Sequence, residues 1–185
     1  KDVSGSTLGI VGMGRIGHAV ARRARAFGME IVYSSRRRDE AAEKELGARF
    51  LELEALLIVS DFVSLHCPLS PATKGLIGER QLRSMKPNSI LINTSRGAVV
   101  SEEDLVRALQ EKWIAGAALD VFESEPLPGG HPFTKLDNVV LCPHLGSATI
   151  RTREKMAILA AENLLAAVEG RIPAHVVNPE VLNRN

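Results

Sequence analysis

The sequence carries no excess of charge of either sign. In 185 residues, 23 Lys and Arg stand against 22 Asp and Glu, a formal net charge of +1. That balance argues against a nucleic-acid surface or an anionic membrane face as partner. No apolar run reaches the length of about 20 residues needed for a membrane-spanning helix. The opening residues, Lys1-Asp2-Val3-Ser4-Gly5-Ser6, do not read as a signal peptide. They also give the first strand no preceding element, as expected of a chain cut from a longer one. Only two cysteines are present, Cys67 and Cys142, far apart and without metal-ligand spacing. No metal site is expected, and two thiols without secretory context point to a reducing cytoplasm rather than a disulfide. Internal repeats and low-complexity segments are also missing. Apolar residues make up 45% of the chain, enough for one sizeable core.

What is present begins with Thr7 to Gly17, Thr-Leu-Gly-Ile-Val-Gly-Met-Gly-Arg-Ile-Gly. An apolar run, Leu8 to Val11, ends in Gly12, Gly14 and Gly17, the spacing G-x-G-x-x-G. From Arg15 to Phe27 the apolar residues Ile16, Ala19, Val20, Ala24 and Phe27 fall at helical intervals. Strand, glycine turn and helix in that order are the context that a dinucleotide-binding turn requires. In such a turn the first glycine permits the tight bend and the second lets a pyrophosphate approach the backbone. The third lets helix and strand pack closely. The helix N-terminus, at Arg15 and Ile16, offers N–H groups and a partial positive charge to phosphates. The plainer reading is a glycine-rich turn in an ordinary α/β protein; the strand before and the helix after weigh against it.

Downstream, strands are expected at 30–34, 49–51, 62–65, 89–93, 116–120 and 139–141. Helices are expected at 39–46, 53–59, 79–85, from 101 through 113, and at 152–169. Ser101-Glu102-Glu103-Asp104 resembles a capping box at one helix start. The last helix is apolar at Met156, Ile158, Leu159, Leu164, Leu165 and Val168, on nearly every face. A helix of that kind is expected to be buried, and a partner subunit in a homodimer is one way to bury it. Gly170 and Pro173 end it, and 176–182 should be extended. Strand, helix, strand repeated in this order makes right-handed parallel crossovers. The expected fold class is α/β, a Rossmann-type doubly wound parallel sheet in three α/β/α layers. It spans 1–170, with 171–185 as a tail.

One residue type is conspicuously missing after the second strand. A Rossmann fold often carries Asp or Glu there, bonded to the ribose 2′-hydroxyl of NAD. This chain has Ser34-Ser35-Arg36-Arg37-Arg38 instead. Guanidinium groups make bidentate, charge-assisted bonds to phosphate, so Ser35, Arg36 and Arg37 point to the 2′-phosphate of NADP. NADP(H) is therefore preferred and NAD(H) possible, with Asp39 or Glu40 as a late-placed acid. The remaining alternative is a solvated basic turn.

Three ionisable residues follow three different strands: Arg96 beside Gly97, Glu125 before Pro126, and His144 after Pro143. Ligands of open α/β sheets bind at the carboxyl ends of strands, so all three should face one cleft. His66, in His66-Cys67-Pro68, lies at the same edge, as chemistry or as a loop residue packing its ring. The segments Ile-Asn-Thr-Ser-Arg-Gly, Leu-Asp-Val-Phe-Glu-Ser-Glu-Pro-Leu and Pro-His-Leu-Gly-Ser-Ala-Thr resemble the D-isomer-specific 2-hydroxyacid dehydrogenase family. The resemblance runs from Thr7 to about Leu182 and is strongest to the glyoxylate and hydroxypyruvate reductase branch.

The resemblance implies reduction of a 2-keto acid to a 2-hydroxy acid by hydride transfer, with Arg96, Glu125 and His144 as the catalytic residues. Arg96 would anchor the carboxylate, and His144, paired with Glu125, would act as general acid and base; Glu123 is a rival for Glu125. The implied cofactor-binding set is Gly12, Gly14, Arg15, Ile16 and Gly17; Ser35, Arg36 and Arg37; Cys67, Pro68 and Thr73; Thr94 and Ser95; Asp120, His144 and Gly146. The small-molecule partner would be a 2-keto or 2-hydroxy acid. Phosphoglycerate and D-lactate dehydrogenases are same-class alternatives, and a non-enzymatic corepressor-like dinucleotide sensor is one of another class. The substrate domain that members build mainly from earlier residues is almost wholly missing here.

Overall fold

In the computed structural model, which describes residues 2–183, each apolar run pairs side by side with another. The strands are β1 (Thr7–Val11), β2 (Glu30–Ser34), β3 (Arg49–Phe50), β4 (Phe62–Leu65), β5 (Ile90–Asn93), β6 (Gly116–Leu119) and β7 (Val139–Leu141). The helices are α1 (Arg15–Ala26), α2 (Glu40–Leu46), α3 (Leu53–Val59), α4 (Glu79–Ser84), α5 (Glu102–Gln110) and α6 (Ile150–Val168). The sheet order is β3-β2-β1-β4-β5-β6-β7, and every neighbouring pair is parallel. The order reverses between β1 and β4, which opens a crevice at their carboxyl ends. This is the expected doubly wound Rossmann arrangement.

The pleat distributes side chains between two cores. Leu8 and Ile10 of β1 and Ile31 and Tyr33 of β2 pack with Ala21 and Ala24 of α1 and Ala42 and Leu46 of α2. Val63 and Leu65 of β4 and Leu91 of β5 pack with Leu56 and Leu57 of α3, Leu82 of α4 and Leu105 and Leu109 of α5. Helices therefore cover both faces. Each large side chain so buried contributes about 1.5–3 kcal/mol, which fixes the strand ends from which the site is built.

The chain divides into two compact units, 1–144 and 145–185. The first holds the sheet and α1 to α5. The second holds α6 and the tail. Within it, α6 starts at Ile150 rather than 152, because Thr149 caps it by accepting from the Thr152 N–H. Its apolar residues are not buried as expected: Leu164 is 66% and Val168 76% exposed, and Ala166 is the one buried residue of the helix. The tail is not extended throughout. A 3₁₀ turn occupies Pro179–Asn183, with Pro179 pre-setting its first φ and Val181 N–H donating to the Asn178 carbonyl. Residues 184–185 of the expected tail lie outside the described residues.

The capping box at Ser101 is only half formed. Ser101 Oγ accepts from Asp104 N–H, but the Asp104 carboxylate turns to the Glu79 N–H and to Arg107. No helix among the described residues is long and apolar enough to cross a membrane.

Candidate functional site

The glycine turn leaves β1 at Gly12, whose φ of +99° suits glycine alone. A Cβ there would come within 2.6 Å of the Cys67 backbone N. At Gly17 a Cβ would overlap the Gly12 carbonyl oxygen. Gly14 differs: it is the N-cap of α1, and nothing lies within 4 Å of the Cβ it lacks. The turn is thus tight where the strands must meet and open where the helix begins. The first N–H groups of α1, at Arg15 and Ile16, have no intrahelical acceptor, and both residues are exposed.

Beyond β2, the three arginines divide. Arg38 forks onto Glu43, with Nε 3.1 Å from Oε1 and Nη2 2.7 Å from Oε2. Its guanidinium also lies 5.8 Å from the Phe50 ring centroid. Glu43 in turn accepts from the Tyr33 hydroxyl at 2.7 Å. Arg38, first of these partners, holds the Glu43 carboxyl below the ordinary range. Asp39, offered above as a late-placed acid, caps α2 through the Ala42 N–H and meets His18 Nε2 at 2.6 Å. The His18 bond is the main reason its carboxyl is held low. Arg36 and Arg37 are exposed and carry no ion pair among the described residues. Ser35, beside them, is half-buried.

Ile16, Cys67, Pro68, Thr94, Ser95 and Arg96 line one cleft of about 370 Å³ together with His66 and Leu69. Thr73 is not among its lining residues; its hydroxyl donates to the Pro68 carbonyl and accepts from Ser70 N–H, bracing the loop. His66 is hydrogen-bonded to Ser64 Oγ at 2.9 Å, and burial pushes its pKa down. It stays neutral and is a poor proton donor at neutral pH. Burial pushes the Cys67 thiol up, so it remains a thiol.

Arg96 is set by a residue that sequence pattern alone does not single out. Asn93, 1% exposed at the end of β5, accepts from the Ser95 N–H and hydroxyl and donates to the Arg96 carbonyl. Its one signal in the sequence is an Asn ending a buried strand just before a turn. Gly97 then lies flat against the Phe122–Glu123 peptide, where any Cβ would overlap. This close approach brings the Arg96 segment to the loop that carries Glu125.

Glu125 Oε2 meets His144 Nδ1 at 2.8 Å, and Oε1 accepts from the Phe122 N–H at 3.1 Å. The His144 bond, then the Phe122 bond, then Arg96 among weaker charges, hold the Glu125 carboxyl below the usual range. His144 sits at φ +57°, a left-handed backbone that a non-glycine residue adopts at a cost. Glu123, the rival acid, is exposed and its backbone N–H goes to Glu102. A second cleft, of about 470 Å³, opens beside the pair, lined by Phe122, Leu127, Leu141 and Cys142 with Glu125 and His144. Asp120 lies at the carboxyl tip of β6, its N–H bonded to the Asn93 carbonyl. Gly146 belongs to the second unit.

An ionised acid bonded to one imidazole nitrogen leaves the other free to exchange a proton, with a guanidinium near by to hold an anion. The open backbone at Gly14 and the exposed Arg36 and Arg37 fit a dinucleotide.

Comparison with known proteins places the chain by family and fold. Residues 1–146 match the family described as D-isomer specific 2-hydroxyacid dehydrogenase, NAD binding domain. The chain is 59% identical over 181 residues to the glyoxylate reductase of Korarchaeum cryptofilum (strain OPF8), covering 98% of this chain and 54% of that protein. A Thermus thermophilus protein of solved structure superposes with a TM-score of 0.89 at 53% identity, over 95% of this chain and 55% of its own. A glyoxylate reductase from Paecilomyes thermophila gives a TM-score of 0.83 at 41% identity, over 93% of this chain and 52% of its own. The chain spans about half the length of the curated relatives that it matches.

Proposed function

The chain belongs to the D-isomer specific 2-hydroxyacid dehydrogenase family, and from that premise we propose that it is the cofactor-binding half of an NADPH-dependent reductase of glyoxylate and hydroxypyruvate. On this reading 1–170 form the dinucleotide-binding domain and 171–185 lead back toward a substrate domain. The observation that carries the proposal is the 2.8 Å Glu125–His144 bond, close enough to Arg96 for its charge to help hold Glu125 low.

NADPH, when bound, supplies the hydride. Arg96 holds the keto acid's carboxylate and polarises its ketone with one planar fork. His144 donates from Nε2 to the forming alkoxide, while Glu125 fixes the tautomer through Nδ1. Because Glu125 stays ionised, it accepts from the Nδ1–H and leaves Nε2 for the exchange of the proton. The backbone at Gly12, Gly14 and Gly17, with Arg15 and Ile16, holds the pyrophosphate. Cys67, Pro68, Thr94, Ser95 and Asp120 complete the cofactor's surroundings, with Thr73 bracing the loop of Pro68. Asp39 and Arg38 are engaged elsewhere, which leaves Arg36 and Arg37, with Ser35, for a 2′-phosphate. The preference for NADP(H) over NAD(H) rests on that division.

The exposed apolar residues of α6 support a homodimer built through that helix, and light scattering that finds a monomer at micromolar concentration would contradict it. The two free thiols support a cytoplasmic location. The test of function is a panel of cofactors and keto acids on the full-length protein. Turnover of glyoxylate or hydroxypyruvate with NADPH is expected. Binding of cofactor without turnover of any keto acid would favour the sensor reading instead.

A further inference from the structure

We infer that Glu102, acting with His131, is a positioning residue for the Glu125–His144 pair; the inference rests on the catalytic role proposed for that pair. The loop from 123 to 130 has little to hold it: every residue is exposed except Leu127, which is half-buried. A loop with so few buried contacts opens easily. Glu125 nevertheless has to meet His144 at hydrogen-bond distance.

Both ends of the loop come to one carboxylate. Glu102 Oε1 accepts from the Glu123 N–H at 2.7 Å, and Oε2 lies 3.4 Å from His131 Nε2. The other nitrogen of His131 is already committed, since Nδ1 accepts from the Phe133 N–H. The ring proton therefore sits on Nε2 and faces Glu102. The His131 ring leans on Phe133, with centroids 4.7 Å apart, and Phe133 is fully buried.

Glu102 is the first residue of α5, whose Leu105, Ala108 and Leu109 are buried. The carboxylate is thus fixed to the core and favoured by the helix N-terminus. The stretch that it grips, Phe122–Glu123, is also the one against which Gly97 packs. One clamp therefore sets the loop of Glu125 in register with the segment of Arg96. An incidental surface ion pair would contribute little and would have no reason to bind both ends of a functional loop.

The test uses the full-length protein. Glu102→Ala is expected to lower kcat for keto-acid reduction about tenfold or more while NADPH affinity moves by less than about twofold, because a small misplacement costs turnover rather than cofactor binding. Glu102→Gln, whose amide oxygen still accepts from the Glu123 N–H but whose NH2 cannot accept from the His131 Nε2–H, should recover part of the loss. The Glu125 carboxyl, followed by ¹³C NMR, should titrate higher in Glu102→Ala than in the unmodified protein and return part of the way in Glu102→Gln.

An alanine variant with unchanged kcat and unchanged Glu125 titration overturns the inference, as does a glutamine variant no better than alanine. If the alanine variant does not fold, hydrogen exchange at the Glu123 amide of the unmodified protein decides: protection supports the clamp, and exchange at a free-loop rate overturns it. Failure of the catalytic reading would show differently, as a fully active His144→Ala, and the titration and exchange would still report on the clamp.

Discussion

The two ends of the site are held by different means. At the glycine turn, position is set by backbone: Gly12 at positive φ against Cys67, Gly17 against the Gly12 carbonyl, and α1 opening at Gly14. At the Glu125–His144 end, position is set by side-chain hydrogen bonds: within their own turns by Asn93 to Ser95 and Arg96 and by Glu125 to the Phe122 N–H, and from α5 by Glu102 to Glu123. A site made of backbone tolerates little substitution but needs no help from its neighbours. A site made of side chains on an exposed loop can be loosened at a distance.

The largest expected effect lies at the second end. His144→Ala in the full-length protein should lower kcat by about 10²–10⁴, the usual range for losing a general acid, with cofactor binding little changed. Steady-state kinetics alongside a fluorescence titration with NADPH checks both halves of that statement, and a full-rate variant would remove His144 from the mechanism.

Next is Arg36→Ala with Arg37→Ala. Losing charge-assisted bonds worth about 1.5–3 kcal/mol each should weaken NADPH by tenfold or more while leaving NADH nearly unchanged. Equal loss for both cofactors would mean that the pair is a solvated basic turn.

At the first end, Gly12→Ala puts a methyl group against the Cys67 backbone at a φ that alanine avoids. It should cost about 1–3 kcal/mol of stability, read by denaturant melting, with dinucleotide affinity lost in parallel. A variant as stable as the parent would mean that the turn relaxes, and the contrast between the two ends would blur.

The smallest effect is in pH. Glu125 is held low, first by His144. A depressed acid contributes stability that is present above its unfolded value and lost as pH falls through its folded value. The Glu125–His144 bond should therefore persist below the ordinary glutamate midpoint of 4.5. In His144→Ala the Glu125 midpoint should rise, as ¹³C NMR would report.

The same contrast governs what was legible in the sequence. The glycine spacing, the seven strands and the position of Arg96, Glu125 and His144 after three of them follow from local pattern, because periodicity and turn chemistry are local. Glu102 and His131 do not stand out as site residues in the sequence, since their roles depend on which loop lies opposite, and only tertiary packing decides that; Asn93 acts within its own turn, and its single local signal is too common to mark a site. Asp104 illustrates the same competition: its spacing from Ser101 suits a capping box, but the Glu79 N–H and Arg107 claim its carboxylate. The apolar sequence of α6 predicts a buried helix, and its residues are exposed, because apolar composition alone does not supply a surface to cover it.

On the proposed function, this chain carries the cofactor-binding residues, and positioning of the substrate also draws on a second domain. The direct measurement is to titrate NADPH into the 185-residue chain and into the full-length protein, and to assay both for hydroxypyruvate reduction. Positioning of the substrate accounts for roughly 7–11 kcal/mol of a barrier, and a closing second domain supplies it by excluding water and completing the site. Similar NADPH affinities and far slower turnover by the short chain are expected. Near-equal turnover, or no NADPH binding by the short chain, would show that the two ends are not divided in this way.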